Sequence, residues 1–138
     1  QGLRLLDQNN GEIWAKLDAG SPRYYELINR AATPFQTILK NISDAARQRP
    51  LVIQSLFMRI HGQGPPEPEQ RAYCDRLNEI VAAGGQLKWI QIYTIARAPA
   101  ESFVSPLSDQ EVDRLADFVR QKTGLQVSGF HGADPLAT

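Results

Sequence analysis

A chain of 138 residues, 42% of them apolar, has material for one compact domain with a real core and little room for a second. Fifteen basic and fifteen acidic side chains cancel, so no global field draws the chain to nucleic acid or to an anionic membrane surface. No apolar run approaches the roughly 20 residues of a spanning helix, and "QGLRLLDQNN" lacks the basic-then-apolar layout of a signal peptide. A cytoplasmic protein without nucleic-acid or membrane partners is expected. Its single cysteine, Cys74, excludes an internal disulfide and a multi-cysteine metal site within this chain.

The opening residues read as the tail of a helix, a turn at Asn9-Asn10-Gly11 and then a strand, so residues 1–11 look like the end of a preceding unit in a longer protein. Strand character follows at Glu12 to Asp18, Leu51 to Ile60 and Leu87 to Ile95, each followed by a helical pattern. Ser21-Pro22 is an N-cap with proline at the first helical position, opening a short helix through Ile28. Thr33-Pro34 repeats that signal, with Gln36 at the capping-box position and Phe35, Ile38, Leu39, Ile42 and Ala46 on one face. Pro68 to about Ala83 places Tyr73, Leu77, Ile80 and Val81 on one face and stops at Gly84-Gly85. Ser108 and Glu111 form a capping box for a helix to Lys122, with Val112, Leu115, Ala116 and Val119 as its stripe and Gly124 beyond. A short strand over Leu125 to Phe130 and a disordered tail over residues 131–138 complete the reading.

Strands alternating with helices of this length imply right-handed βαβ crossovers and a parallel sheet, which is the α/β class. Alternation splits each strand into two sets. One set is largely aliphatic: Ile13, Ala15 and Leu17; Leu51, Ile53 and Phe57, with Ser55 among them; Ile90 and Ile92, followed by Thr94. The other set carries Lys16, Asp18, Gln54, Gln91 and Tyr93. A doubly wound sheet would need a second apolar face, which is missing. Burying such groups unpartnered costs on the order of 2 to 7 kcal/mol each, so a wet or ligand-filled face, as inside an open barrel, is expected. Pairing of Lys16 and Asp18 with charges on neighbouring elements, and of the glutamines with backbone, is the competing account. Three strands cannot close a barrel of about eight, so the chain is either part of a larger barrel or completes its sheet with a partner.

Three stretches carry a family resemblance spanning about Asn9 to Phe130. "KLDAGSPRYYELINR" (Lys16 to Arg30), "LVIQSLFMRIHGQGPPEPE" (Leu51 to Glu69) and "IQIYTIARAPAESFVSPLSDQEV" (Ile90 to Val112) resemble the fourth, fifth and sixth strand segments of the radical S-adenosylmethionine (SAM) proteins, in their iron–sulfur oxidoreductase subgroup. The last is the most specific, combining arginine, Pro-Ala-Glu and a "PLSD" helix start. The resemblance implies about half of a (β/α)6 partial TIM barrel with SAM across the C-terminal strand ends. It also implies a four-iron, four-sulfur cluster that cleaves SAM reductively to a 5'-deoxyadenosyl radical, which takes hydrogen from a substrate. The family holds that cluster with a three-cysteine motif after the first strand, and this chain lacks it. The resemblance therefore places the cluster segment upstream of Gln1 and makes the isolated chain inactive.

Carried over residue by residue, the resemblance assigns Lys16 and Asp18 to the ribose and methionyl part of SAM and Gln54 to its pocket, with Met58 or Arg59 beside it. Tyr93, Thr94 and Ala96 go to adenine. Arg59, His61, Arg97 and Glu101 stand on the substrate side; metal ligands are expected nowhere in the chain, and no catalytic residue is assigned. Simpler roles compete. Arg97 and Glu101 can pair with each other, and His61 is a loop histidine before a Gly/Pro stretch. "GQGPPEPE" lacks the lysine and hydroxyl of a phosphate loop and reads as a turn into an acidic helix start. Met58, Trp14 and Trp89 read as packing residues, and Cys74 as an inert buried thiol. Two alternative functions stay open: an α/β binding module that completes its incomplete sheet by self-association, and half of another barrel enzyme that binds a phosphorylated or acidic small molecule through Lys16 and Arg97.

Overall fold

The computed structural model describes residues 6–7, 13–28, 34–94 and 104–130, and side chains over 13–25, 34–94 and 105–130. In chain order the elements are β1 (Leu6–Asp7), β2 (Ile13–Lys16), α1 (Pro22–Ile28), α2 (Phe35–Gln48), β3 (Leu51–Phe57), β4 (Arg59–Ile60), α3 (Glu67–Ala82), β5 (Leu87–Thr94), β6 (Val104–Ser105), α4 (Asp109–Thr123) and β7 (Val127–Phe130). The main sheet runs β1-β2-β3-β5-β7, and β4 pairs with β6 in a separate ribbon. Within the main sheet β2, β3, β5 and β7 are mutually parallel, and β1 lies antiparallel against β2. The protein is α/β, as its alternating pattern predicts.

The parallel strands stand side by side in chain order, without the reversal that sends helices to both faces of a doubly wound sheet. With right-handed crossovers such an order places the helices on one face, and the core agrees. Ile13, Ala15, Leu17, Leu51, Ile53, Phe57, Ile90 and Ile92 of the sheet share a single buried cluster with Tyr25 of α1, Phe35, Ile38 and Ile42 of α2, Tyr73 and Leu77 of α3, and Val112 and Val119 of α4. Each aliphatic side chain buried there stabilises the fold by about 1.5–3 kcal/mol. Ser55, the polar member of the aliphatic set, donates to the Leu17 carbonyl and shares a 2.6 Å hydrogen bond with the Tyr73 hydroxyl, so its burial leaves nothing unsatisfied.

The helix signals hold with adjustments. Ser108 accepts from the Glu111 N–H, the Glu111 carboxylate accepts from the Ser108 N–H at 2.8 Å, and Gly124 closes α4 at φ 71°. Ser21 accepts from the Tyr24 N–H at the start of α1. In α2 the N-cap is Pro34 itself, without a side-chain cap, and Thr33 lies outside the described residues. In α3, Val81 is 42% exposed instead of buried. Gly85 folds back to donate to the Ile80 carbonyl, so Ile80 occupies the covered position at that end.

Three strand assignments change. Leu6–Asp7 form a strand where a helix tail is expected; pairing there protects the outer edge of β2. The second predicted strand breaks at Met58, which frees Arg59–Ile60 to pair with Val104–Ser105. The last strand begins at Val127 rather than Leu125. The expected tail, residues 131–138, lies outside the described residues. No helix among the described residues is long and apolar enough to cross a membrane.

Candidate functional site

The face of the sheet turned away from the helices carries its side chains in lateral rows fixed by strand register. Trp14, Val52 and Trp89 form the first row; Lys16, Gln54, Gln91 and Ser128 the second; Leu56, Tyr93 and Phe130 the third. Parallel register makes each row a set of neighbours about 5 Å apart across the strands. In the second row the Gln54 amide donates to Gln91 Oε1 at 3.3 Å, and the Tyr93 hydroxyl donates to the same oxygen at 2.9 Å. Tyr93 stacks on Phe130 with ring centroids 4.5 Å apart and planes 10° from parallel. The Trp89 indole donates to Ser128 at 3.0 Å.

The middle of this face is closed to solvent, although Lys16 at its edge is exposed. Gln91 is 3% exposed, and Val52 and Tyr93 are buried too. Burial pushes the Tyr93 phenol above its ordinary range, with the Gln54 amide pulling it down. The Trp14 Nε1–H is buried with no hydrogen-bond partner among the described residues. Such an orphan costs about 1–3 kcal/mol and marks a place where an acceptor would be stabilised.

Asp18 stands just past β2. Its Oδ1 accepts from the Leu56 N–H at 2.7 Å, and Lys16 Nζ lies 3.6 Å from Oδ2. The Asp18 side chain is 22% exposed and the Lys16 side chain 55%. Burial raises the Asp18 carboxyl above its usual range, against the opposing pull of the Lys16 charge and the Leu56 N–H. Lys16 and Asp18 thus pair with each other, and the glutamines with each other and a tyrosine, instead of with neighbouring charges and backbone.

The sheet therefore gathers Lys16, Asp18, Gln54 and Tyr93 on one face. Thr94 belongs to the other: its hydroxyl is turned to the helix side and accepts from the Leu107 N–H at 2.8 Å. Arg59 is drawn away to Glu111, with Nε at 2.9 Å and Nη2 at 2.7 Å from Oε1, so it braces the α4 capping box. His61 is exposed at φ 51°, at the turn after β4. Ala96, Arg97 and Glu101 lie outside the described residues.

A second group escaped the sequence reading. Glu69, in the first turn of α3 and 5% exposed, accepts from the Gly20 N–H at 2.5 Å and from the Ser21 hydroxyl at 2.6 Å. Arg76, two turns on, donates to the Gly20 carbonyl at 3.1 Å. Gly20 packs so tightly that a Cβ would collide with the Tyr73 backbone. "LDAGS" is thereby explained in full: Leu17 and Ala19 are core, Asp18 holds β3, and Gly20 and Ser21 are clasped by α3. The partners lie 48 and 49 residues apart in sequence, and only the glycine next to a helix start hinted at a close approach.

Comparison with models of protein families and with curated proteins finds no match to this chain.

Proposed function

We propose that this chain is about half of a (β/α)6 radical SAM barrel, and that SAM lies along the helix-free face of the sheet toward its C-terminal strand ends. The observation that carries this reading is the strand order: parallel strands in chain sequence, helices on one face and a polar register on the other, which is the arrangement of a barrel wall. The choice of family rests on the resemblance of the segments Lys16 to Arg30, Leu51 to Glu69 and Ile90 to Val112 alone.

The residues fit SAM better than they fit the cluster. The orphan Trp14 N–H, the Gln54–Gln91–Tyr93 network and the Lys16–Asp18 pair offer donors, acceptors and both charges to a zwitterionic nucleoside. Lys16, Asp18, Gln54 and Tyr93 would hold it, while Thr94 acts through the backbone of Leu107. When bound, SAM supplies one-electron cleavage at its sulfonium. A cluster held by three cysteines cannot be ligated by this chain alone, whose one cysteine, Cys74, is buried on α3 with its thiol pushed up to about 11 by burial. The cluster would be held by cysteines outside these 138 residues.

Trp14 and Trp89 flank Val52 on the proposed SAM face and provide the test. SAM should quench their fluorescence saturably and raise the melting temperature, whereas phosphate esters should do neither. A shift with phosphate esters alone would favour the other barrel reading. The outer edge of β7, which is unpaired among the described residues, favours a module that completes its sheet with a second copy. A tight dimer in light scattering without SAM binding would select that reading.

A further inference from the structure

A cleft of about 510 Å³ opens between the β2–α1 turn and the connection from β4 to α3, lined by Ser21, Tyr24, Ile60, Gly64, Pro66, Pro68 and Glu69, with Arg23, His61 and Gln63 at its exposed mouth. It adjoins the strand ends but is built from loop and helix residues and from Ile60 of β4, not from the main-sheet face turned away from the described helices, and it stands whether or not SAM binds the sheet. The walls are a tyrosine ring, an isoleucine and two prolines. The most buried polar residue of its lining is Glu69.

The clasp on Gly20 and Ser21 and the place of Glu69 in the first turn of α3 both favour a carboxylate, yet they do not offset the cost of burying its charge. The Ser21 N–H bonds to the carboxylate as well, and all of these donors are neutral. Arg76, the cation acting on it, spends its guanidinium on Glu79 at 2.7 and 2.9 Å and on the Gly20 carbonyl, and its influence on Glu69 is the weakest of those that lower the carboxyl. Burial, the largest effect, raises it. The field of Glu69 reaches the cleft wall: with burial it pushes the Tyr24 phenol up to about 12.

We infer that this cleft binds a primary alkylammonium group, with Glu69 as counter-charge and Tyr24, Pro66 and Pro68 as the wall for its aliphatic stem. The ammonium offsets the buried carboxylate, the tyrosine face adds cation–π attraction, and the prolines present apolar surface. Arg23 at the mouth favours a carboxylate or carbonyl at the other end of the ligand, as in a lysine-like molecule.

The experiment titrates the full chain with Nα-acetyl-lysine and, separately, with N-acetylnorleucine, which keeps the stem and carboxylate but lacks the ammonium, reading amide shifts by NMR. The lysine compound should move the amides of Ser21, Tyr24 and Gly64 and bind at least tenfold tighter. Glu69→Gln should abolish that tenfold preference, and Tyr24→Leu should weaken the lysine compound about threefold. Equal binding of the two compounds by the wild-type chain overturns the proposal without recourse to any variant. So does an unchanged preference in a folded Glu69→Gln protein.

Discussion

Gln54 on β3 donates its amide to Gln91 on β5 across adjacent parallel strands, 3.3 Å away, on a face no described helix covers. Two leucines would satisfy the sheet equally well in packing terms. A donor and an acceptor stand there instead, joined by Tyr93, which suits the proposed ligand surface better than a second core layer.

Replacing both partners tests this directly. In a Gln54→Leu, Gln91→Leu double variant the one buried group that loses its partner is the Tyr93 hydroxyl, so stability should fall by about 1–3 kcal/mol, the cost of that orphan. Affinity for SAM in calorimetric titration should fall at least tenfold. Undiminished affinity would remove these residues from the proposed site.

Gly20→Ala should be the most damaging small change in the β2–α1 turn. A methyl there meets the Tyr73 backbone, and relief means pulling the turn off α3 and stretching the Glu69 and Arg76 bonds. Overpacking of this kind costs about 1–3 kcal/mol or more. A urea midpoint within error of wild type would show that the turn relaxes freely.

The pH dependence of stability follows from the carboxylates. Asp18 is raised above its ordinary 3.8, chiefly by burial, and Glu69 above 4.5 for the same reason. The folded state then holds more protons than the unfolded one, so their contribution is full below those ordinary values and declines as pH rises through the raised ones. Glu111 runs the other way. Burial would raise it, but the Ser108 N–H and Arg59 outweigh burial and hold it below 4.5, so its contribution is present above 4.5 and lost as pH falls through the lowered value. Asp18→Asn keeps an acceptor for Leu56 and removes the charge. It should be no less stable than wild type at pH 7 by urea denaturation, with a flatter decline above pH 3.8. A marked loss at pH 7 would mean that the Lys16 pair outweighs burial.

At the start of α4, Ser108→Ala should cost about 1 kcal/mol, the usual worth of a cap. Glu111→Ala should cost more, because it removes both the Ser108 bond and the anchor of Arg59. Arg59→Ala alone should stay under about 1 kcal/mol, since the pair is part exposed. A double-mutant cycle over Arg59 and Glu111 reads their coupling, and additive losses would show that the two do not support each other.

Local chemistry wrote most of the elements into the sequence. Ser108, Glu111 and Gly124 bound α4 because capping depends on residues three or four apart, and strand alternation separates Ile13, Ile53 and Ile90 from Lys16, Gln54 and Gln91 because pleating has a period of two. What the sequence left open was always a matter of partners distant along the chain. Lys16 and Asp18 could have paired with anything, and Thr94, at the very end of β5, could have been placed at a ligand. Only the packed structure joins Lys16 to Asp18, gives Thr94 to Leu107, turns Arg59 to Glu111 and closes Glu69 over Gly20, because burial and register, not spacing, decide which polar groups meet. The sequence by itself determined an α/β chain with one apolar and one polar sheet face. The tertiary structure decided which of its polar groups bind one another, and which of them lie on the sheet face turned away from the helices, because burial and register bring distant residues together.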